Sequence, residues 1–124
     1  FIQTQAVYDV DAFEEWMRLV RKEWLHTHVH ILAGIIPLHS ARMAKFMVEK
    51  IGVVIPKHIM DRMEKAPNPK AEGISIALRT IKAMRKIEGV RGVHIMPITW
   101  DEVVPELVKE AGLHPRPTPP DADA

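Results

Sequence analysis

Residues 31–38 read Ile-Leu-Ala-Gly-Ile-Ile-Pro-Leu, and this stretch decides the fold class. An apolar run that starts at Val29, reaches Gly34 and is soon followed by Pro37 is typical of a buried strand that continues into a loop. The longest apolar run, 31–38, has eight residues, far fewer than the ~20 that a transmembrane helix needs. We therefore predict a buried strand over 29–33 and no transmembrane helix.

Segments with helical periodicity lie on both sides of this strand. In the first, Phe13, Met17 and Val20 recur every three or four residues between charged side chains, and Asp11 is suited to cap the helix start. The full order of predicted elements is a strand over 1–5, a helix over 11–25, the strand over 29–33, a helix over 41–50 capped by Ser40, a helix from Ile55-Pro56 to before Pro67, a helix over 70–87, a strand over 93–96, and a last helix from a capping box of Thr99 and Glu102 to Ala111-Gly112.

This alternation of strands and amphipathic helices predicts an α/β fold with parallel strands joined by crossovers. Three parallel strands alone would expose two edges and one face of the sheet. We therefore expect residues 1–113 to be part of a larger sheet, and the start at Phe1 to cut into an element. Residues 114–124 are rich in proline and predict an extended tail.

Composition argues against several functional classes. Of the 124 residues, 47% are hydrophobic and 27% charged, which is the range of globular proteins. The 17 Lys and Arg residues nearly balance the 16 Asp and Glu residues and form no basic stripe, which disfavours nucleic acid binding. The absence of cysteine excludes disulfides and thiolate metal sites. We take the cytoplasm as the default location.

Candidate functional residues follow the strand ends, where parallel α/β folds place their sites. Gln5 ends the first strand, and its amide can both donate and accept at the edge of a heteroaromatic ring. Gly34 and Pro37 follow the second strand, either as a loop that a ligand approaches closely or as an ordinary turn. Trp100, after the third strand, could stack on a planar ligand or cover a helix start. Met63 could line an apolar pocket or belong to the core.

Three histidines at alternate positions suggest a metal site only at first sight. His26, His28 and His30 would share one face of a strand but spread over ~13 Å, too far for all three to bind one ion. We therefore predict no metal site. No Ser-His-Asp order and no phosphate-binding glycine run stands out either.

Several segments, in order, resemble the carboxyl-terminal part of the methylenetetrahydrofolate reductase family. They are Phe-Ile-Gln-Thr-Gln at 1–5 with Asp9 and Phe13, Ile-Leu-Ala-Gly-Ile-Ile-Pro-Leu at 31–38, Ile55-Pro56, Glu-Gly-Ile-Ser-Ile-Ala at 72–77, Gly-Val-Arg-Gly-Val-His-Ile-Met at 89–96, and Ala-Gly-Leu at 111–113. The resemblance covers nearly the whole chain apart from the proline-rich tail.

The resemblance implies a fold and an activity. The family has a flavin-containing (β/α)8 barrel, of which this chain would be the last three βα units. The complete enzyme would reduce 5,10-methylenetetrahydrofolate to 5-methyltetrahydrofolate, with FAD as cofactor and NADH or NADPH as electron donor.

The resemblance also implies roles for single residues. Gln5 matches the glutamine that hydrogen-bonds the pterin ring of the folate. Met63 falls where many members have a phenylalanine that packs on the folate. Trp100 lies near the position at which some members have an arginine that faces the substrate. The general acid and nearly all FAD contacts lie on earlier strands, so the isolated chain is expected neither to hold FAD tightly nor to turn over.

Two alternatives remain open from the sequence. Another (β/α)8 enzyme that handles a pterin or a one-carbon unit would also place a glutamine and a Gly-Pro loop at strand ends. A non-catalytic α/β interaction module could instead complete its sheet by pairing with a second copy of itself, which would make the chain a homo-oligomer.

Overall fold

The computed structural model describes residues 1–118, and its elements follow the predicted order. Strands β1, β2 and β3 alternate with five α-helices, a short 3-10 turn at Leu25–Thr27 and a π-helical turn at Met47–Ile51. The bounds are β1 Ile2–Ala6, α1 Val10–Lys22, β2 Ile31–Ile35, α2 Ala41–Phe46, α3 Lys57–Lys65, α4 Pro69–Met84, β3 Val90–Ile95 and α5 Val103–Glu110.

The three strands form one parallel sheet in the order β1-β2-β3. The apolar β2 lies in the centre, where both of its edges are paired. The parallel sheet confirms the α/β fold predicted from the alternation of strands and helices. Ile31 pairs with Ile2 on one side and with Val90 on the other, while Ala33 and Ile35 pair with Val93 and Ile95. Each strand is joined to the next through at least one helix, as parallel pairing requires.

The helices cover one face of the sheet. Ile31 and Ala33 pack against α1 and the end of α4, through Phe13, Met17 and Met84. Ile35 packs with residues of α4 and α5 in a second cluster that includes Ile81, Val103 and Leu107. Residues of β2 that alternate along the strand therefore supply the centre of the core.

A third apolar cluster lies beyond the carboxyl end of β2. Ile36 and Leu38, which follow β2, pack there with side chains of α2, α3 and α4, among them Met43, Met63 and Ile76. The hydroxyl of Tyr8 donates a hydrogen bond to the carbonyl oxygen of Ile36 at 2.8 Å. The loop that leaves β2 is thus held by apolar packing and by one buried hydrogen bond.

The opposite face of the sheet carries no helix within residues 1–118. In this part of the chain the outer edges of β1 and β3 also have no partner strand. Exposed apolar side chains flank the β1 edge, with Phe1 81%, Ile2 44% and Trp16 40% exposed. The sheet of the described residues thus has one face without helices and two unpaired edges. No helix of the described residues has the length and apolar character needed to cross a bilayer.

Some local predictions were wrong, each for a physical reason. Helix α1 is capped by Asp9, whose side chain accepts from the Ala12 N–H at 3.0 Å, and not by Asp11. Strand β2 begins and ends two residues later than predicted, because Gly34 is a paired strand residue. The Thr99 capping box does not form, since Thr99 has a φ of 57° and the cap position is Glu102 without a side-chain bond.

The histidine segment is also not a strand. His26 lies in the 3-10 turn and His28 caps it, so the side chains of the three histidines do not alternate across a sheet as assumed. Among the described residues, no group of three His, Cys, Asp or Glu side chains is arranged to hold a metal ion.

The chain beyond α5 is only partly described. Residues 114–118 form no helix or strand and are exposed. The remaining six predicted tail positions, 119–124, lie outside the described residues.

A glycine in α4 permits the contact between this helix and the loop after β2. A Cβ at Gly73 would collide with the carbonyl oxygen of Leu38 and would lie 2.7 Å from its carbonyl carbon. We expect Gly73→Ala to lower the free energy of unfolding by about 1–3 kcal/mol, although alanine is the better helix former. Lys82→Gly, at an exposed position of the same helix, should cost only up to ~1 kcal/mol. Denaturant unfolding measures both, and a more stable Gly73→Ala protein would contradict the contact.

Candidate functional site

The carboxyl end of β1 contains an irregularity that shapes the site. Gln3 pairs with Leu32 and Ala6 pairs with Gly34, so β1 has two residues between these pairs where β2 has one. The extra residue is a β-bulge, which is rare between parallel strands and often re-aims a side chain next to a site. The two bulged residues are Thr4 and Gln5.

Gly34 lies directly against this bulge. A Cβ at position 34 would lie 2.6 Å from the carbonyl oxygen of Thr4 and 2.7 Å from that of Gln5. Both are backbone atoms, so no side-chain movement could relieve the contact. Glycine is therefore required at this position because two backbones approach each other, which is a reason different from the predicted approach of a ligand.

Hydrogen bonds to the Thr4 side chain link the two strands at the bulge. The Gly34 N–H donates to Thr4 Oγ1 at 3.0 Å, and the Thr4 hydroxyl donates to the Gln5 carbonyl oxygen at 2.8 Å. The regular backbone pattern resumes beyond the bulge, where the Val7 N–H donates to the Gly34 carbonyl at 2.9 Å. A side-chain hydroxyl thus takes a place that a backbone carbonyl has in a regular ladder.

The bulge borders a cleft of about 390 Å³ on the open face of the sheet. Four polar residues line it from the strands, namely Gln3, Thr4, Gln5 and His94. Gln3 Nε2 lies 3.1 Å from His94 Nδ1, so the two side chains are hydrogen-bonded across β2. The cleft has no carboxylate and no lysine or arginine among its lining residues. It is suited to bind a neutral polar edge by hydrogen bonds.

The other wall of the cleft is apolar. It consists of Ile36, Ile51, Val53 and Met96. Ile51 ends the π-helical turn, and Gly52 follows with a φ of 79° that redirects the chain back toward the sheet. Single π-turns are frequent at functional sites. Apolar side chains combined with a few polar groups are the usual lining of a small-molecule site.

A second cleft, also about 390 Å³, lies along the outer edge of β1. Its lining is mainly apolar and includes Ile2, Phe13 and Trp16. Gln5 lines both clefts, and its side chain is exposed. It therefore stands at the border between the open face and the unpaired edge of the sheet.

The predicted site residues do not all reach this cleft. Gln5 lines it, and Gly34 lies beneath it within β2. Pro37, predicted as part of a loop near the substrate, is among the fully buried side chains. Met63 is 1% exposed and packs in the apolar cluster beyond β2. In the described part of the chain its side chain therefore belongs to the core.

Trp100 is buried in the cluster between α4 and α5, with 6% of its surface exposed. Lys70 Nζ lies 5.7 Å from the centroid of its ring, and the His39 ring meets it edge-on at 6.2 Å. The ring that was considered for ligand stacking is thus surrounded by the chain's own side chains.

The functional side chains that the sequence analysis missed are Gln3, Thr4 and His94. Gln3 and Gln5 are two residues apart on a strand, and His94 interrupts the apolar residues of β3. A polar residue at an alternate position of an otherwise apolar strand was the available signal. No feature of the sequence indicated the bulge in β1.

Comparison with known proteins decides the family. The profile described as "Methylenetetrahydrofolate reductase" matches residues 1–112. The chain belongs to the methylenetetrahydrofolate reductase family. The resemblance seen in residues 1–5, 31–38 and 89–96 is therefore confirmed.

Two curated relatives are similar over most of this chain. Methylenetetrahydrofolate reductase 1 of Schizosaccharomyces pombe (strain 972 / ATCC 24843) is 28% identical over 123 residues, which cover 91% of this chain and 19% of that protein. Methylenetetrahydrofolate reductase 2 of the same organism is 29% identical over 122 residues, with the same two coverages. The chain therefore spans about a fifth of the length of these relatives.

FAD, which the family implies, can be tested against the residues of the cleft. A dinucleotide carries a pyrophosphate, which proteins bind with backbone N–H groups at a helix start or with basic side chains. The cleft on the open face offers neither a basic side chain nor a glycine-rich turn that leads into a helix. Its residues fit the polar edge of a ring and do not fit the pyrophosphate of FAD.

Tyr8 gives the loop after β2 a pH-dependent stability. Burial raises the pKa of the Tyr8 phenol above its usual value of about 10. The unfolded chain then loses this proton first as the pH rises, so the folded state should lose stability above about pH 10. We expect a loss of about 1.4 kcal/mol by about pH 11 relative to Tyr8→Phe, which lacks the ionisable group. Unfolding free energies of both proteins between about pH 8 and 11 measure it.

Tyr8→Phe should itself be less stable near neutral pH by about 1 kcal/mol, because the buried Ile36 carbonyl loses its donor. Parallel pH profiles of the two proteins would contradict the assignment of a buried, hydrogen-bonded phenol.

Proposed function

We propose that this chain forms the folate-binding side of a flavin-dependent enzyme that reduces 5,10-methylenetetrahydrofolate to 5-methyltetrahydrofolate. Gln5 carries the proposal. It lies at the carboxyl end of β1, where barrel enzymes place their substrate contacts, and it borders a cleft lined by both polar and apolar residues.

The chain would be three βα units of a (β/α)8 barrel, the carboxyl-terminal ones according to the resemblance. Three observations on residues 1–118 support this view. The sheet is parallel, its helices lie on one face only, and the outer edges of β1 and β3 are unpaired there. In a barrel the uncovered face would become the interior and both edges would be paired with further strands.

Within this site the residues of the chain would bind and orient the substrate. The Gln5 amide would donate to and accept from the edge of the pterin ring. The Gln3–His94 pair lies beside it on the same cleft wall, and Ile51 and Val53 would pack on the ring from the other side. Met63 and Trp100 would support the surrounding helices from the core, and their direct contact with folate stays a prediction.

The redox chemistry would come from outside this chain. A bound FAD would supply the hydride chemistry between NADH or NADPH and the one-carbon unit of the folate. The cleft on the open face supplies no fit for the pyrophosphate of FAD and no carboxylate. The general acid and the flavin contacts are therefore assigned to other parts of the enzyme.

A second candidate function is a non-catalytic module that associates with its own copies. The apolar cleft along the unpaired edge of β1, lined by Ile2, Phe13 and Trp16, favours this alternative. A second strand that paired at this edge would cover these side chains. The two candidates differ in whether the edge pairs with another copy or with further strands of one barrel.

Substitution of Gln5 tests the proposed folate contact. In the full-length flavin-loaded protein, Gln5→Leu should raise the KM for the folate about 10-fold, because a hydrogen bond of ~1.4 kcal/mol to the ring is lost. The rate at which the nicotinamide reduces the flavin should not change, since Gln5 contacts the folate side only. Steady-state and stopped-flow kinetics measure both quantities. An unchanged KM would remove the observation on which the proposal rests.

The isolated chain tests the proposal that the flavin contacts lie in other parts of the enzyme. We expect the purified 124-residue polypeptide to retain no stoichiometric flavin, because its cleft does not fit the pyrophosphate of FAD. Absorbance near 450 nm after gel filtration measures the flavin content, and the elution volume reports association. A yellow, monomeric, cooperatively unfolding chain would contradict the barrel proposal, whereas a colourless discrete dimer would favour the interaction module.

A further inference from the structure

We propose that Thr4 is a positioning residue of the folate site, because its hydroxyl holds the β1 bulge in the form that directs Gln5 to the cleft. This inference rests on the proposed function, in which Gln5 binds the folate. It adds Thr4, which also lines the cleft but acts here through the position of Gln5, as a second residue on which folate binding depends.

Thr4 uses both hydrogen-bonding capacities of its hydroxyl at the bulge. The oxygen accepts from the Gly34 N–H at 3.0 Å, and the proton goes to the Gln5 carbonyl oxygen at 2.8 Å. One side chain therefore connects β2 to the backbone of the very residue whose amide borders the cleft. The contact with Gly34 is part-buried, where an unpaired N–H is costly.

Loss of the hydroxyl would favour a different register. The Gly34 N–H would need a new acceptor, and the nearest way to supply one is a shift of β1 that brings a backbone carbonyl opposite Gly34. A shift by one residue turns every side chain of a strand to the other face. Gln5 would then leave the cleft wall that it shares with Gln3 and His94.

The close approach at Gly34 makes the hydroxyl bond possible. The missing Cβ lets the carbonyl oxygens of Thr4 and Gln5 come near the Gly34 Cα, as the short distances to an added Cβ show. The bulge of β1 therefore requires both a glycine at position 34 and a hydroxyl at position 4. Serine retains the hydroxyl, whereas valine has the same shape as threonine and lacks it.

Two variants of the full-length flavin-loaded protein test the inference. We expect Thr4→Val to lower kcat/KM for the folate about 10- to 100-fold through misplacement of Gln5. Thr4→Ser should stay within about twofold of the wild type, because it keeps both hydrogen bonds. Flavin content and the rate of flavin reduction by the nicotinamide should be the same in all of them, which a general loss of structure would not allow.

A double-mutant cycle with Gln5→Leu separates positioning from general destabilisation. If Thr4 acts through Gln5, Thr4→Val should have no further effect on folate binding once Gln5 is replaced. Effects that simply multiply would overturn the inference. If Thr4→Val does not accumulate with flavin bound, Thr4→Ala and Thr4→Ser are compared instead, and equal losses in these two variants would overturn it as well.

The outcomes also distinguish this inference from the proposed function. Weaker folate binding in Gln5→Leu together with normal binding in Thr4→Val overturns the role of Thr4 and leaves the proposed function standing. Normal binding in Gln5→Leu overturns both.

Discussion

The close contact between Gly34 and the bulged backbone of β1 is the constraint on which the rest of the site depends. Because position 34 has no side chain, the carbonyl oxygens of Thr4 and Gln5 can lie against β2. The extra residue of β1 is accommodated there, and the Thr4 hydroxyl supplies the acceptor for the Gly34 N–H. Gln5 then lies next to the last residue of β1, at the edge of the open face. Any side chain at position 34 would separate the two strands at the place where the cleft begins.

The architecture was predictable because it depends on periodicity. The apolar run 31–38 identified the central strand, and amphipathic spacing identified the helices around it. What could not be predicted is close backbone contact. Gly34 was expected after the strand as a possible approach for a ligand, whereas it lies within the strand and accommodates β1. Only the register of β1 and β2 reveals this role, and register does not follow from a single strand's composition.

The predicted site residues also differ in how well the sequence indicated their positions. Gln5 was predicted from a strand end and lies at the cleft, because the carboxyl ends of parallel strands meet at one edge of the sheet. Met63 and Trp100 were assigned by resemblance to aligned positions, and both are buried. For Trp100, Lys70 and His39 surround the ring with partners that no local pattern indicates. A large apolar side chain on a helix is ambiguous between core and pocket until its neighbours are known.

The covered and uncovered faces of the sheet have separate tasks in this account. The helix-covered face stabilises the fold through β2, α1, α4 and α5, while the uncovered face carries Gln3, Gln5 and His94.

A crystal structure of the complete protein with 5-methyltetrahydrofolate bound tests this account most directly. It should show the uncovered face inside a closed barrel, with the Gln5 amide within hydrogen-bond distance of the pterin ring and the Gly34 N–H still bonded to Thr4 Oγ1. A pterin ring bound away from Gln5, or a β1 without the bulge, would contradict it.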